Sequence, residues 1–532
     1  MKRHFIFTVL AVVLFATLPM EAQIRGFRQE QLKEWEFSKD GSDWQTVAVP
    51  HSYNAEDGHS PYYYRGKATY RCDLRITDVK KTHYIFFEGA AQAAVVKVNG
   101  EQVAIHKGGY TPFSVNITEA LRKGVNRLEV ICDNSEDVEM APVTSDFNKN
   151  GGLHNPVWLL VMEDVYLSPE DYGMYRLRCE TPVVTPKKVV TNVRAKLINS
   201  GNRDANILVR VQLLEADGRL GYQADREVPV GAFSEYDFDH EFILSGIHFW
   251  DGMKDPYLYT LRVELFKGKR MMDIAETKIG YRSIEMDPER GFILNGRPYP
   301  LRGVAMHQDS DGKASALTQS DYRRDYRIVK ELGANFLRLA HYPHNDFAFQ
   351  QCDSLGIIVQ TEVPWVNVCG EDATQAYFNN IQHQMKEMVS NLYNHPSIAF
   401  WGMWNELDTW GNNNDLQGQF DAERVARETE RLYDYTKGLD PDRFVGFTDC
   451  SRLARDGYRM LKGDFCSQNI YYGWYWTPND FSGLSSSMKK LHEMKPDMPF
   501  NVSEYGVGIN PYCHVWNPSD AIRDKDEDSK HY

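Results

Sequence analysis

The sequence has no cysteine pair at metal-binding or redox spacing. Its eight cysteines (Cys72, Cys132, Cys179, Cys352, Cys369, Cys450, Cys466 and Cys513) are scattered through 532 residues without a CxxC. That spacing excludes a zinc-finger type of site and a dense disulfide framework, and leaves most of them as small buried hydrophobes. A basic excess is also missing. With 60 Lys and Arg against 74 Asp and Glu, the net charge is −14. Nucleic acid and anionic membranes are therefore not expected as partners, because both require basic patches. Beyond the N-terminus, no apolar run approaches the ~18 residues of a membrane span. The N-terminus itself, MKRHFIFTVLAVVLFATLPMEAQ, sets Lys2 and Arg3 ahead of an apolar stretch from Phe5 to Leu18, with small and polar residues around Ala22. This is the pattern of a secretory signal over 1–22, too short to span a bilayer. No cysteine precedes Cys72, so no lipid anchor is expected. The chain is expected to be exported, to the periplasm or beyond.

What is present divides into three domains, as the length suggests. From 23 to 168 short strands alternate apolar and polar residues or run β-branched and aromatic: ATYRCDLRI (68–76), HYIFFEGA (83–90) and NRLEVIC (126–132). Asn99-Gly100, between two such runs, predicts a tight hairpin. This stretch reads as a jelly-roll β-sandwich. From 169 to 284 a second all-β stretch, including NILVRVQLLEADG (206–218) and YLYTLRVELFKG (257–268), fits an immunoglobulin-like sandwich. From 285 to 532 helical segments alternate with short apolar strands, and Leu332-Gly333 and Leu355-Gly356 each end a helix just before a strand. Repeated βα units of this kind predict a (β/α)₈ TIM barrel. Seven strands can be placed. After Gly506 the text is polar and turn-rich, so the eighth is expected to be missing.

Two barrel segments end on a carboxylate: NHPSIAFWGMWNE (394–406) on Glu406 and MPFNVSEYG (498–506) on Glu504, followed by Tyr505 and Gly506. A carboxylate at the tip of a buried strand is costly unless it is paired or has its pKa shifted. Strands four and seven lie nearly opposite each other in an eight-stranded barrel, and active sites form at the C-terminal strand ends. Two such carboxylates suggest a glycosidase, one acting as nucleophile and the other as acid/base. The same criterion selects His307 after strand one, Arg338 and His341 at strand two, and Glu362 at strand three. It also selects Asn405 beside Glu406, and Asn469, Tyr471 and Tyr475 at or after strand six. Taken singly, a strand-end Glu is more often a structural ion pair and a lone His a structural hydrogen bonder. The constellation is more specific than its members. Trp401, Trp404 and Trp410 are expected to desolvate the acid, and Arg338 to keep the nucleophile ionised.

NFLRLAHYP (335–343), CDSLGIIVQTEVP (352–364), YNHPSIAFWGMWNE (393–406), NIYYGWY (469–475) and NVSEYG (501–506) together closely resemble glycoside hydrolase family two. GGYTPF (108–113), DFNKNGGLHNPVWL (146–159) and DPYLYTL (255–261) extend the resemblance through the first two domains. It implies a retaining exo-β-glycosidase with Glu406 as acid/base, Glu504 as nucleophile and Asn405 at the 2-hydroxyl. His341, Tyr471 and Asp146 resemble substrate-shell positions, with Asp146 reaching in from the jelly roll, while Arg338 and His307 resemble supporting residues. Metal-binding relatives carry a Glu and a His shortly after strand three, where this chain has Trp365 and Asn367. No catalytic metal and no cofactor are expected. The Asn-x-Lys element that marks glucuronidases is not in the text. β-Galactosidase is the leading expectation, with β-glucuronidase or β-mannosidase as the near alternative and a non-catalytic carbohydrate-binding protein as the distant one. The expected partner is an oligosaccharide or glycoside, and homo-oligomerisation is left open.

Overall fold

The computed structural model describes residues 28–506, except 59, 61, 144, 146, 368–372, 408–421, 451–461, 474–476 and 478–479. Its first part is a sandwich of two antiparallel sheets. One has the strand order Arg28–Gln31, Val157–Met162, Thr82–Phe87, Phe113–Asn116. The other runs Gln45–Ala48, Glu34–Ser38, Lys67–Ile76, Gly124–Asp133, Ala93–Val98, Glu101–Lys107. Alternation does the sorting: along Ala93–Val98 every second residue is buried, placing Ala94, Val96 and Val98 in a core with Trp35, Tyr70 and Leu128. The hairpin forms at Asn99-Gly100, whose φ angles of 53° and 88° suit a two-residue turn matched to strand twist.

The second sandwich packs Val165–Leu167, Val189–Asn199, Arg178–Val184 and Ser234–Leu244 against a sheet of Leu220–Val230, Ala205–Leu214, Tyr259–Lys267 and Arg270–Ile279. Val193, Ile207, Val209, Leu261 and Val263 lie in its core. A small antiparallel unit, Ile284–Asp287, Gly291–Leu294 and Arg297–Pro298, then leads into the barrel. Its Phe292 and Leu294 pack with Phe336, Ile358, Phe400 and Phe465 and plug the N-terminal end of the barrel with apolar side chains.

The barrel strands are β1 (Gly303–Met306), β2 (Phe336–Leu339), β3 (Ile358–Glu362), β4 (Ile398–Asn405), β5 (Phe444–Asp449), β6 (Phe465–Asn469) and β7 (Phe500–Glu504), all parallel and in that order. Around them run α1 (Gln319–Glu331), α2 (Asp346–Leu355), α3 (Gln375–Leu392), α4 (Ala422–Leu439) and α5 (Gly483–Met494). The sheet curls until Cα atoms of β1 and β7 lie within 8 Å of one another, so the barrel is nearly closed by seven strands among the described residues. Gly333 and Gly356 end their helices with φ of 73° and 75°, the left-handed conformation that glycine adopts most cheaply. At Gly356 a Cβ would also lie 2.2 Å from the Gly252 carbonyl carbon. No described helix is long and apolar enough to cross a membrane.

The opening Asn394-His395-Pro396 of the β4 segment is a joint between domains. Asn394 donates to the Leu177 carbonyl and accepts from the Cys179 amide. His395 lies between Asp346 and Asp353, at 2.9 and 2.6 Å, and Tyr175 of the second sandwich donates to Asp346 at 2.8 Å. The first residues of this segment therefore serve assembly, and only its far end reaches the barrel mouth.

Candidate active site

Alternation along the barrel strands sends Phe336, Ile358 and Phe465 inward at the bottom and Arg338, Glu362 and Asn469 inward near the top. The upper layer is polar and connected. Arg338 is fully buried. It donates from Nε to Glu362 Oε2 at 3.0 Å and from Nη2 to Glu362 Oε1 at 2.7 Å. Its Nη1 donates to Glu504 Oε1 at 2.6 Å, and Nη2 also reaches Asn405 Oδ1 at 2.7 Å. Gly402 on β4 makes room for this arrangement, since a Cβ there would sit 2.5 Å from that of Glu362.

Glu504 carries three supports. Besides Arg338, Tyr471 donates its phenol to Glu504 Oε2, and His341 Nε2 stands 3.7 Å from Oε1. Burial opposes ionisation here, but the Arg338 and His341 charges and the Tyr471 hydrogen bond outweigh it and hold the carboxyl below its usual range. Burial likewise opposes the imidazolium of His341. The Glu362 hydrogen bond, with Nδ1 2.7 Å from Oε1, and the nearby carboxylates nevertheless raise its pKa. Burial and the neighbouring carboxylates push the Tyr471 phenol well above its normal value, so it stays protonated as a donor.

Glu406 ends the β4 segment with φ of 47°, and its amide donates to the Thr448 carbonyl at 2.8 Å. Its side chain is buried and accepts from Asn469 Nδ2 at 2.5 Å. Asn469 Nδ2 also reaches Asn405 Oδ1 at 3.2 Å, while its Oδ1 accepts from Ser503 at 2.8 Å. Glu406 and Glu504 thus belong to one hydrogen-bonded layer, joined through Asn469, Asn405 and Arg338.

Of the residues expected from sequence, Glu406, Glu504, Asn405, Asn469, Arg338, His341 and Tyr471 converge in this layer. His307 lies at its edge, its ring edge-on to His341 at 5.3 Å. Burial and the neighbouring cationic side chains push its pKa down to about 3, so it is a neutral hydrogen bonder, 3.3 Å from the Tyr342 hydroxyl. Asp146, Tyr475 and Trp410 lie outside the described residues. Beside Asp146, Phe147 of the first sandwich packs 5.3 Å from His307 and 5.8 Å from His341.

One expectation is corrected. The indoles of Trp401 and Trp404 do not surround Glu406. Trp401 donates to Asp440 at 2.9 Å and Trp404 to Thr429 at 3.1 Å, both packing on the helix side of β4. Strand alternation with an irregularity between Gly402 and Asn405 turns these rings away from the mouth. Glu362, which the sequence places at a strand end without a role, is the acceptor that holds Arg338 and His341 together. Its position in TEVP, at the tip of β3, was the available signal.

Family models match all three parts of the chain. A family model described as the glycosyl hydrolases family 2 TIM barrel domain matches residues 286–532. A glycosyl hydrolases family 2 model matches 175–282, and a glycosyl hydrolase 2 galactose-binding domain-like model matches 37–151. A β-glucuronidase from Bacteroides fragilis is 31% identical over 482 residues, covering 88% of this chain and 66% of that protein. A β-galactosidase from Thermoanaerobacterium thermosulfurigenes is 27% identical over 504 residues, covering 91% and 64%. The solved structure of Bacteroides uniformis β-glucuronidase 2, covalently bound to cyclophellitol-6-carboxylate aziridine, superposes with a TM-score of 0.86 at 29% identity, covering 92% of this chain and 61% of that one. The chain spans between 61% and 66% of the length of these three relatives.

Proposed function

The chain belongs to glycosyl hydrolase family 2, and from that membership we propose that it is a retaining exo-β-glycosidase with Glu504 as nucleophile and Glu406 as acid/base. The observation that carries the assignment is the set of groups around Glu504: Arg338, His341 and Tyr471 all favour its ionised form, as a nucleophile requires, and Glu406 lies in the same hydrogen-bonded layer on Asn469.

In the proposed reaction a Glu504 oxygen attacks the anomeric carbon as the bond to the leaving oxygen breaks, and Glu406 gives that oxygen its proton. Water then attacks the glycosyl ester, Glu406 takes its proton, and Glu504 departs as carboxylate. Asn405, whose amide oxygen is occupied by Arg338 and Asn469, presents its NH₂ group to a sugar hydroxyl. His307 and Phe147 form the wall on the side of the first sandwich.

Two sugars are in play. The sequence reading favours a terminal β-D-galactoside. The β-glucuronidase names carried by the B. fragilis and B. uniformis relatives favour a β-D-glucuronide, and the T. thermosulfurigenes relative keeps galactose in place. The test has two stages. Aryl β-glycosides of galactose, glucuronic acid and mannose select the sugar. An activated 2-fluoro analogue of that sugar should then add one glycosyl unit to Glu504, read by peptide mass spectrometry. Release of the α-anomer as first product, or labelling of another residue, would refute the mechanism. No turnover of either the galactoside or the glucuronide would remove both sugar readings.

A further inference from the structure

Away from the barrel mouth, His106, His383 and Glu387 bring three ligand-type atoms within 4.8 Å of one another. His106 is on the edge strand Glu101–Lys107 of the first sandwich, and His383 and Glu387 are on α3. The helical pair is spaced i, i+4, which stacks both side chains on one face. His106 Nε2 lies 2.9 Å from Glu387 Oε1, and His383 Nε2 lies 3.0 Å from the same oxygen. The other carboxylate oxygen accepts from the Thr111 hydroxyl at 2.5 Å, which turns Oε1 toward the two imidazoles. The His106 ring is stacked on Phe113, with centroids 3.9 Å apart and planes 10° apart, so its Nε2 direction is set by packing. His383 is half exposed, which leaves one side of the cluster open to water and its ring free to adjust.

Two imidazole nitrogens and one carboxylate oxygen within 4.8 Å of one another, beside the half-exposed His383 ring, form a donor set suited to a borderline-soft divalent ion. A tetrahedral ion with bonds of about 2.0–2.1 Å separates its ligands by ~3.3 Å. The separations here, from 2.9 Å up to the 4.8 Å limit, bracket that value. Thr111 is the outer partner that such carboxylate ligands usually have. We propose that His106, His383 and Glu387 bind one zinc ion, with water in the fourth position, and that this ion pins the first sandwich to α3 of the barrel. The surrounding interface is already polar and directional: Asn380 donates to the Lys107 carbonyl at 2.9 Å and Gln384 to the Ala141 carbonyl at 3.0 Å. The helix so pinned leads into β4, which ends at Asn405 beside Glu406. The site lies apart from the catalytic layer and supplies no step of the glycosidase reaction.

The experiment uses the full chain, stripped with a chelator and titrated with Zn²⁺ against a chromophoric competitor. Wild type should bind one equivalent and gain thermal stability with zinc. His383→Ala, which removes a half-exposed side chain and should fold normally, should bind at least tenfold more weakly and show no zinc-dependent gain. Co²⁺ substitution should give a four-coordinate d–d spectrum without a thiolate charge-transfer band, which separates this site from the scattered cysteines. Failure of wild type to bind zinc, equal affinity in His383→Ala, or a thiolate band would overturn the proposal and leave the trio as a hydrogen-bonded latch.

Discussion

Arg338 Nη1 donates to Glu504 Oε1 at 2.6 Å although the two residues sit on β2 and β7, strands that are not neighbours in the described sheet. The guanidinium reaches across the barrel mouth, and its other face is clamped by Glu362. Ionisation of the proposed nucleophile is therefore a property of the curled sheet.

Replacing Arg338 tests that link. In Arg338→Met, Glu504 loses its strongest stabilising charge and its pKa should rise toward or above the ordinary 4.5. The acid limb of kcat/KM should move to higher pH, and Tyr471→Phe should move it the same way by less. Measuring kcat/KM between pH 3 and 8 checks both. An unmoved limb in Arg338→Met would show that Glu504 is not the group titrating there.

Glu362→Gln removes the partner that holds Arg338 and His341. Breaking a buried ion pair on one side typically costs ~3–5 kcal/mol, so the denaturation midpoint should fall substantially. Burial opposes ionisation of Glu362, but Arg338 and His341 hold its pKa down at about 2. Its contribution to stability is therefore present above pH 4.5 and lost as pH falls from 4.5 toward 2. Wild type should lose stability across that window, and Glu362→Gln should show a flatter dependence. His341, deprived of its hydrogen-bonded carboxylate, should titrate lower, as imidazole NMR would report.

In kcat/KM, which reports formation of the glycosyl-enzyme, Glu406→Gln should slow reaction of substrates with poor leaving groups by ~10²–10⁴-fold while sparing good ones, because only the former need protonation in that step. Comparing kcat/KM for phenyl and dinitrophenyl glycosides reads this out. A uniform loss of kcat/KM on both would assign Glu406 a structural role.

His395 gives a prediction outside the site. Burial favours its neutral form, yet Asp353 and Asp346 raise its pKa to about 10. Its stabilisation is therefore complete below pH 6.5 and lost as pH rises from 6.5 toward 10. His395→Gln leaves two buried carboxylates facing each other, and should cost ~3–5 kcal/mol at pH 7 while removing that alkaline decline. Thermal scans from pH 6 to 10 on both proteins measure it.

Much of the site could be read in the sequence because it lies at strand ends, where an apolar run breaks on a charged residue. Glu406, Glu504, Arg338 and Asn469 all stand out in this way. The orientation of Trp401 and Trp404 could not be read, because an irregularity in β4 shifts which residues face inward. Nor could the double use of the Asn394–Glu406 segment, whose first residues join two domains and whose last face the barrel mouth.

The three architectures in their order, the hairpin at Asn99-Gly100, the helix-ending glycines and the two carboxylates are all legible in the amino-acid order. These follow from local periodicity, turn chemistry and the cost of burying charge. Tertiary structure alone decided which polar groups meet: Arg338 between Glu362 and Glu504, Asn469 against Glu406, and His106 against Glu387 281 positions away. Sequence patterns of period two or 3.6 specify which face of an element is buried. The partner on that face is chosen only when the sheet curls and the domains dock.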